Sequence, residues 1–144
     1  MTAINRHRLF WLSVLALFTA SMSASLRAAV ASSLKAEWID PIAPIAAGEM
    51  IGAALGSAFL GFSITVFVVS AFLDTIGIRR VLIGFGIAFL IGTTLIVGAG
   101  SMATGMTVYH LVWLGMLLSG IGWGFSGSSI NPPTAPPFPA DTNP

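Results

Sequence analysis

The sequence predicts an all-α, polytopic membrane protein with four transmembrane helices. Three observations carry that prediction. Of 144 residues, 56% are hydrophobic and 8% charged, with a mean hydropathy of +0.93. A soluble domain carries roughly 25% charged residues, and so few charges cannot cover a globular surface. Four apolar stretches reach the roughly 20 residues needed to cross a hydrocarbon core of ~30 Å. From Val81 to Ala140 there is no Asp, Glu, Lys or Arg. Backbone polar groups must be paired within lipid, which leaves helices or closed barrels, and these continuous apolar runs lack the alternation of barrel strands.

The first span is expected over residues 9–30, with Arg27 near its far end. The second covers 50–73 and contains no charge. The third covers 81–100 and the fourth 108–130. Residues 35–48 hold Pro41, Pro44, Glu37 and Asp40 and read as a polar loop with an interfacial turn near Trp38. Residues 75–80 read as a tight turn, with Gly77 free to take a positive φ. Residues 101–107 form a small polar link, with Tyr109 and Trp113 as interface anchors just beyond it. Residues 131–144 contain six prolines, which remove donors and clash with a preceding helical turn, so a non-helical tail is expected from Asn131.

The beginning of the chain has a second reading. Arg6 and Arg8, then an apolar run over 9–18, then small residues over 19–25, also resemble a cleaved signal peptide. Apolar, helix-favouring sequence continues through Leu34, beyond the usual length of such a segment, which favours a retained span.

Charge placement predicts orientation. Arg6, Arg8, Arg79 and Arg80 fall on one side of a four-span hairpin pattern, and Lys35 falls on the other with Glu37, Asp40 and Glu49. Basic residues in short loops stay cytoplasmic. The N terminus (residues 1–8), the turn after Asp74 and the C-terminal tail are therefore expected on the cytoplasmic side.

Other functional classes find little support. A formal net charge of +1 without a basic patch argues against a nucleic-acid partner. Cysteine is absent, which removes disulfides and thiolate chemistry. No paired carboxylates, Ser/His/Asp set or metal-ligand spacing is present, so neither an enzyme nor a metal or cofactor site is expected. Gly84-Phe85-Gly86 and Gly120-Ile121-Gly122 lie inside spans with no preceding strand and are not nucleotide loops.

Small residues mark the helix-packing faces. Gly48, Gly52 and Gly56 recur every four residues, and Gly120, Gly124 and Ser128 do so in the fourth span. Such spacing lets backbones approach closely, and dispersion then drives association in lipid. It serves either a rocking interface or plain tight packing.

Two ionisable residues are candidates for a substrate path. Arg27 either contacts an anionic solute in a polar cavity, or snorkels to the outer headgroups, or pairs with Glu49. Glu49 is a proton-carrying carboxylate or a solvated acid at a helix start. His110 reads as a solvated side chain at an interface.

The segment Ser70-Ala71-Phe72-Leu73-Asp74-Thr75-Ile76-Gly77-Ile78-Arg79-Arg80 resembles the signature loop of the major facilitator superfamily, Gly-x-x-x-Asp-Arg-x-Gly-Arg-Arg/Lys. Asp74, Gly77 and Arg79 match; Ser70, Thr75 and Ile78 depart from the pattern. Gly120-Ile121-Gly122-Trp123-Gly124 resembles the glycine-rich fourth helix of that family, and Asn131-Pro132 with Phe138-Pro139-Ala140-Asp141 the loop after it. The resemblance implies secondary transport of a small solute by alternating access, in the bacterial inner membrane, with Asp74, Gly77, Arg79 and Arg80 as gating elements. It implies that Arg27 and the Gly120–Ser128 face border a central cavity. It also implies that four spans are about a third of a member, not competent alone, whose partners are the bilayer, the solute, and the missing helices or second half. The rival expectation is a non-transporting four-helix subunit that assembles through its glycine faces.

Overall fold

The computed structural model describes residues 6–134, without the side chains at 6–10, 12, 13, 16, 17, 20, 74, 78 and 129–134. Four long helices follow in order: α1 (Arg6–Leu34), α2 (Ala47–Ile76), α3 (Ile78–Met102) and α4 (Met106–Thr134). A π-helical turn, Lys35–Ile39, extends the end of α1. No strand occurs among the described residues. Ala47–Leu73, Arg79–Met102 and Met106–Ser128 are long and apolar enough to cross a membrane, with mean hydropathies of 2.0, 2.3 and 1.3. At 1.5 Å rise per residue, the 29 residues of α1 reach about 43 Å. This is the architecture of an all-α integral membrane protein. Phe67 and Leu90 stand exposed on the outside of α2 and α3, a surface suited to lipid rather than water.

The helices are arranged around α4, which lies between α2 and α3 and packs closely on both, whereas α2 and α3 scarcely meet. α1 stands further off and touches mainly α4. The close approaches depend on missing side chains. A Cβ at Gly61 of α2 would lie 2.6 Å from the Leu117 carbonyl oxygen of α4. One at Gly92 of α3 would lie 2.7 Å from the Gly115 carbonyl oxygen, and one at Gly115 would lie 2.8 Å from that of Gly92. Lipid tails are as apolar as Leu, so this backbone-level dispersion contact, not water exclusion, holds the helices together. Towards the end that carries the Lys35–Ile39 turn, Ile39, Ala47, Ala54, Val112 and Met116 form a buried cluster. At the other end Val69, Leu73 and Val81 close the α2–α3 corner.

The boundaries differ from the sequence expectation in three places. Arg6 and Arg8 belong to the first turns of α1 rather than to a preceding segment. The expected turn over 75–80 contracts to Gly77, which takes φ 82° and ψ 138°, caps α2 through its amide to the Leu73 carbonyl at 2.8 Å, and starts α3. The positive φ is the one read from the sequence. The tail expected to be non-helical from Asn131 instead continues α4 through Pro132 and Pro133 to Thr134. Proline forfeits an amide bond there, but its ring-locked φ of about −65° is already a helical value. The remaining tail, from residue 135, lies outside the described residues.

Candidate functional site

The site is built from α1 upwards. A helical side chain tilts back towards the N terminus of its helix and covers the turn before its own Cα. Arg27 therefore reaches away from the Lys35 end of α1, into the bundle. Its Nη1 donates to Ser119 Oγ on α4 at 3.0 Å, and its Nη2 donates to Ser23 Oγ, one turn earlier on α1, also at 3.0 Å. The guanidinium carbon stands 5.9 Å from the ring centroid of Phe89 on α3, within cation–π range. Ser119 Oγ in turn donates to the Met116 carbonyl at 2.9 Å, which leaves its lone pairs for the guanidinium.

The depth of this arrangement is the main departure from the sequence reading. Ser119 and Phe89 each lie within one turn of the middle of the apolar spans of α4 and α3. Arg27 thus holds its charge level with the middle of the α3 and α4 spans, not beyond their ends. Nor does it pair with Glu49, which is exposed in the first turn of α2. Among the described residues the only ion pair is Lys35 to Asp40, at 2.8 Å, within the link between α1 and α2. Sequence position located the Arg27 Cα; the direction of its side chain, which that position leaves out, decides where the charge goes.

Beside the guanidinium opens a cavity of about 420 Å³ between α1, α3 and α4. That lies within the range of roughly 300–1,000 Å³ usual for small-molecule pockets. Its wall is almost wholly apolar: Met22 and Leu26 from α1, Phe89 and Ile96 from α3, and Met116 from α4. Thr19, Ser23, Thr93 and Arg27 are the polar members. Ser23 was legible in principle, since it lies four residues before Arg27 on the same helical face. Ser119, Phe89 and Thr93 carried no distinguishing signal among many small and aromatic residues in the spans.

The other candidate residues fall elsewhere. Gly120 and Gly124 press on α2 and do not border the cavity; a Cβ on Gly120 would collide with the Ala58 backbone, and one on Gly124 would lie 2.8 Å from the Phe62 carbonyl oxygen. The cavity side of α4 is presented by Met116 instead. Ser128 is buried and returns its hydroxyl to the Gly124 carbonyl at 3.0 Å. Gly48, Gly52 and Gly56 line an open face of α2, where an added Cβ meets nothing within 4 Å. Here α2 packs instead through Ala47, Ile51, Ala54 and Ala58, the neighbouring face. Arg79 and Arg80 are exposed at the start of α3 beside Gly77, and the Asp74 side chain lies outside the described ones. His110 is exposed next to the Tyr109 ring. The chain matches no family model, no curated protein and no solved structure.

Proposed function

We propose that the chain belongs to the transport machinery of a membrane: a secondary carrier of a small solute, resembling the N-terminal part of a major facilitator. The observation that carries this reading is the mid-depth cation on a cavity wall. A charged side chain inside a span costs at least ~2.5–3.5 kcal/mol at the centre and is a mark of substrate or ion paths. On this reading α1 forms one wall of the path, and the α3–α4 pair the other. The Asp74–Arg80 corner is the cytoplasmic gate, by its resemblance to the family loop. Helices of a second half complete the cavity, and the protein sits in the bacterial inner membrane with its termini cytoplasmic.

The native absence of cysteine makes the test direct. Thr93→Cys places one thiol on the cavity wall. In native membranes, where the helices that complete the cavity are present, alternating access expects a membrane-impermeant maleimide to label it from both faces, in right-side-out and in inverted vesicles. Labelling from one face only, or from neither, overturns transport and favours the second reading.

That second reading is a non-transporting assembly subunit. The open Gly48–Gly52–Gly56 face of α2 favours it, because small residues at that spacing accept another helix at close range.

A further inference from the structure

We propose that the cavity beside Arg27 binds an amphipathic monoanion: one oxyanion head, carboxylate or phosphodiester, on an apolar body. The inference deepens the transport reading and rests on it, since it names the class of solute carried.

The argument begins with charge. Arg27 has no carboxylate partner among the described residues; its recorded partners are two neutral hydroxyls. Hydroxyl oxygens solvate a guanidinium but do not neutralise it, and an uncompensated charge at mid-depth is costly. A counter-anion relieves that cost. Five N–H donors in a planar fork match the two oxygens of an oxyanion, and the two bonds to Ser119 and Ser23 leave donors for it. The rest of the wall specifies the body of the ligand. Met22, Leu26, Ile96 and Met116 offer no second charge and no ordered array of acceptors, so a sugar, a dianion or a zwitterion finds nothing for its other polar groups. An unbranched or aryl apolar chain is accommodated by Met side chains, which adapt to irregular shapes, and by the Phe89 ring. Thr19 and Thr93 supply the remaining hydroxyls. The head group can come from a free amphiphile or from an anionic bilayer lipid.

The experiment uses the whole chain in phosphatidylcholine nanodiscs and labelled octanoate in equilibrium dialysis, with empty nanodiscs subtracted. Saturable octanoate binding is expected, at least tenfold tighter than that of octanol or octylamine. Arg27→Gln is expected to weaken it at least tenfold, with Arg27→Lys in between. Should the Arg27 variants fail to fold, the wild-type comparison of the three probes stands by itself, and Met22→Trp, which fills the cavity from an exposed position on α1, is expected to abolish binding. Octanol binding as tightly as octanoate, or octanoate insensitive to both Arg27→Gln and Met22→Trp, overturns the proposal. Repeating the titration with phosphatidylglycerol in the discs separates the sources. A lipid headgroup in the site weakens octanoate at the wild type only, and unchanged affinity assigns the site to a free amphiphile. Octanoate binding without two-sided labelling of Thr93→Cys overturns transport but leaves the anion site. Two-sided labelling without octanoate binding overturns the anion site but leaves transport.

Discussion

Arg27 Nη1 donates to Ser119 Oγ at 3.0 Å across 92 positions of sequence, and this bond ties the loosely held α1 to the tightly packed trio of α2, α3 and α4. Hydrogen bonds to charged groups contribute about 1.5–3 kcal/mol in water-exposed folds, and polar bonds between membrane helices average about 0.6 kcal/mol. Ser119→Ala is therefore expected to lower stability by about 1 kcal/mol in reversible unfolding by dodecyl sulfate, followed by circular dichroism. Arg27→Gln with Ser119→Ala should cost less than the two single changes added, because the pair shares one interaction. Strict additivity within about 0.3 kcal/mol would show that the bond holds nothing in place.

Gly77 joins α2 to α3 alone, at φ 82° and ψ 138°. An L side chain clashes with its own backbone there, and such conformations cost about 1–3 kcal/mol. Nothing lies within 4 Å of a Cβ at this position, so crowding adds no further term. Gly77→Ala is expected to destabilise the protein by that amount in the same assay, and Gly77→Asn by a similar amount, because ψ 138° lies outside the left-handed helical region in which asparagine is tolerated. A loss from neither change would show that the chain reverses there without a glycine dihedral.

The sequence reading and the structure agree where one-dimensional patterns suffice. Long uncharged runs fix helix existence, because a bilayer-crossing backbone has few alternatives. Gly77 was legible because a single glycine between two apolar runs leaves one residue able to reverse the chain. What the sequence underdetermined is which side of each helix meets which partner. Gly48-Gly52-Gly56 and Gly120-Gly124 have the same spacing, yet only the second set lies against another described helix. Spacing defines a smooth face; the neighbour that uses it depends on the arrangement of all the helices. Arg27 is a similar case: its helical position was readable, but the acceptor on Ser119 belongs to a helix 92 residues away.

Arg79 and Arg80 supply half of the four basic residues assigned to the cytoplasmic side, the others being Arg6 and Arg8. Both are exposed, so their replacement leaves packing untouched. Arg79→Glu with Arg80→Glu is expected to invert or mix the orientation of a substantial share of molecules, because Lys and Arg bias in short loops sets topology. Thr75→Cys, exposed in the last turn of α2, reports this: labelling is expected from the cytoplasmic face before the change and from both faces after it. Unaltered labelling would show that the Arg6 and Arg8 end, or the hydrophobic spans themselves, decide orientation without the loop.

The glycines supply a comparison with an internal control. Gly120 sits so close to the Ala58 backbone that a methyl group has no room, and backbone, unlike a flexible side chain, cannot swing away. Gly120→Ala must push α2 and α4 apart, at the 1–3 kcal/mol typical of overpacking, and Gly92→Ala must do the same between α3 and α4. Gly52→Ala has no such obstacle, since its Cβ meets open space. It also removes glycine from a helix interior, which favours the helix by up to ~1 kcal/mol in peptides. In the isolated chain Gly52→Ala is thus expected to be neutral or stabilising, while Gly120→Ala loses stability. The sign of the Gly52 change then serves a second purpose. If purified protein is oligomeric and Gly52→Leu returns it to monomer with unchanged helicity, the open face of α2 is an interface and the assembly reading gains its partner. If Gly52→Leu alters neither oligomeric state nor stability, that face meets only lipid, and the assembly reading loses the observation that favours it.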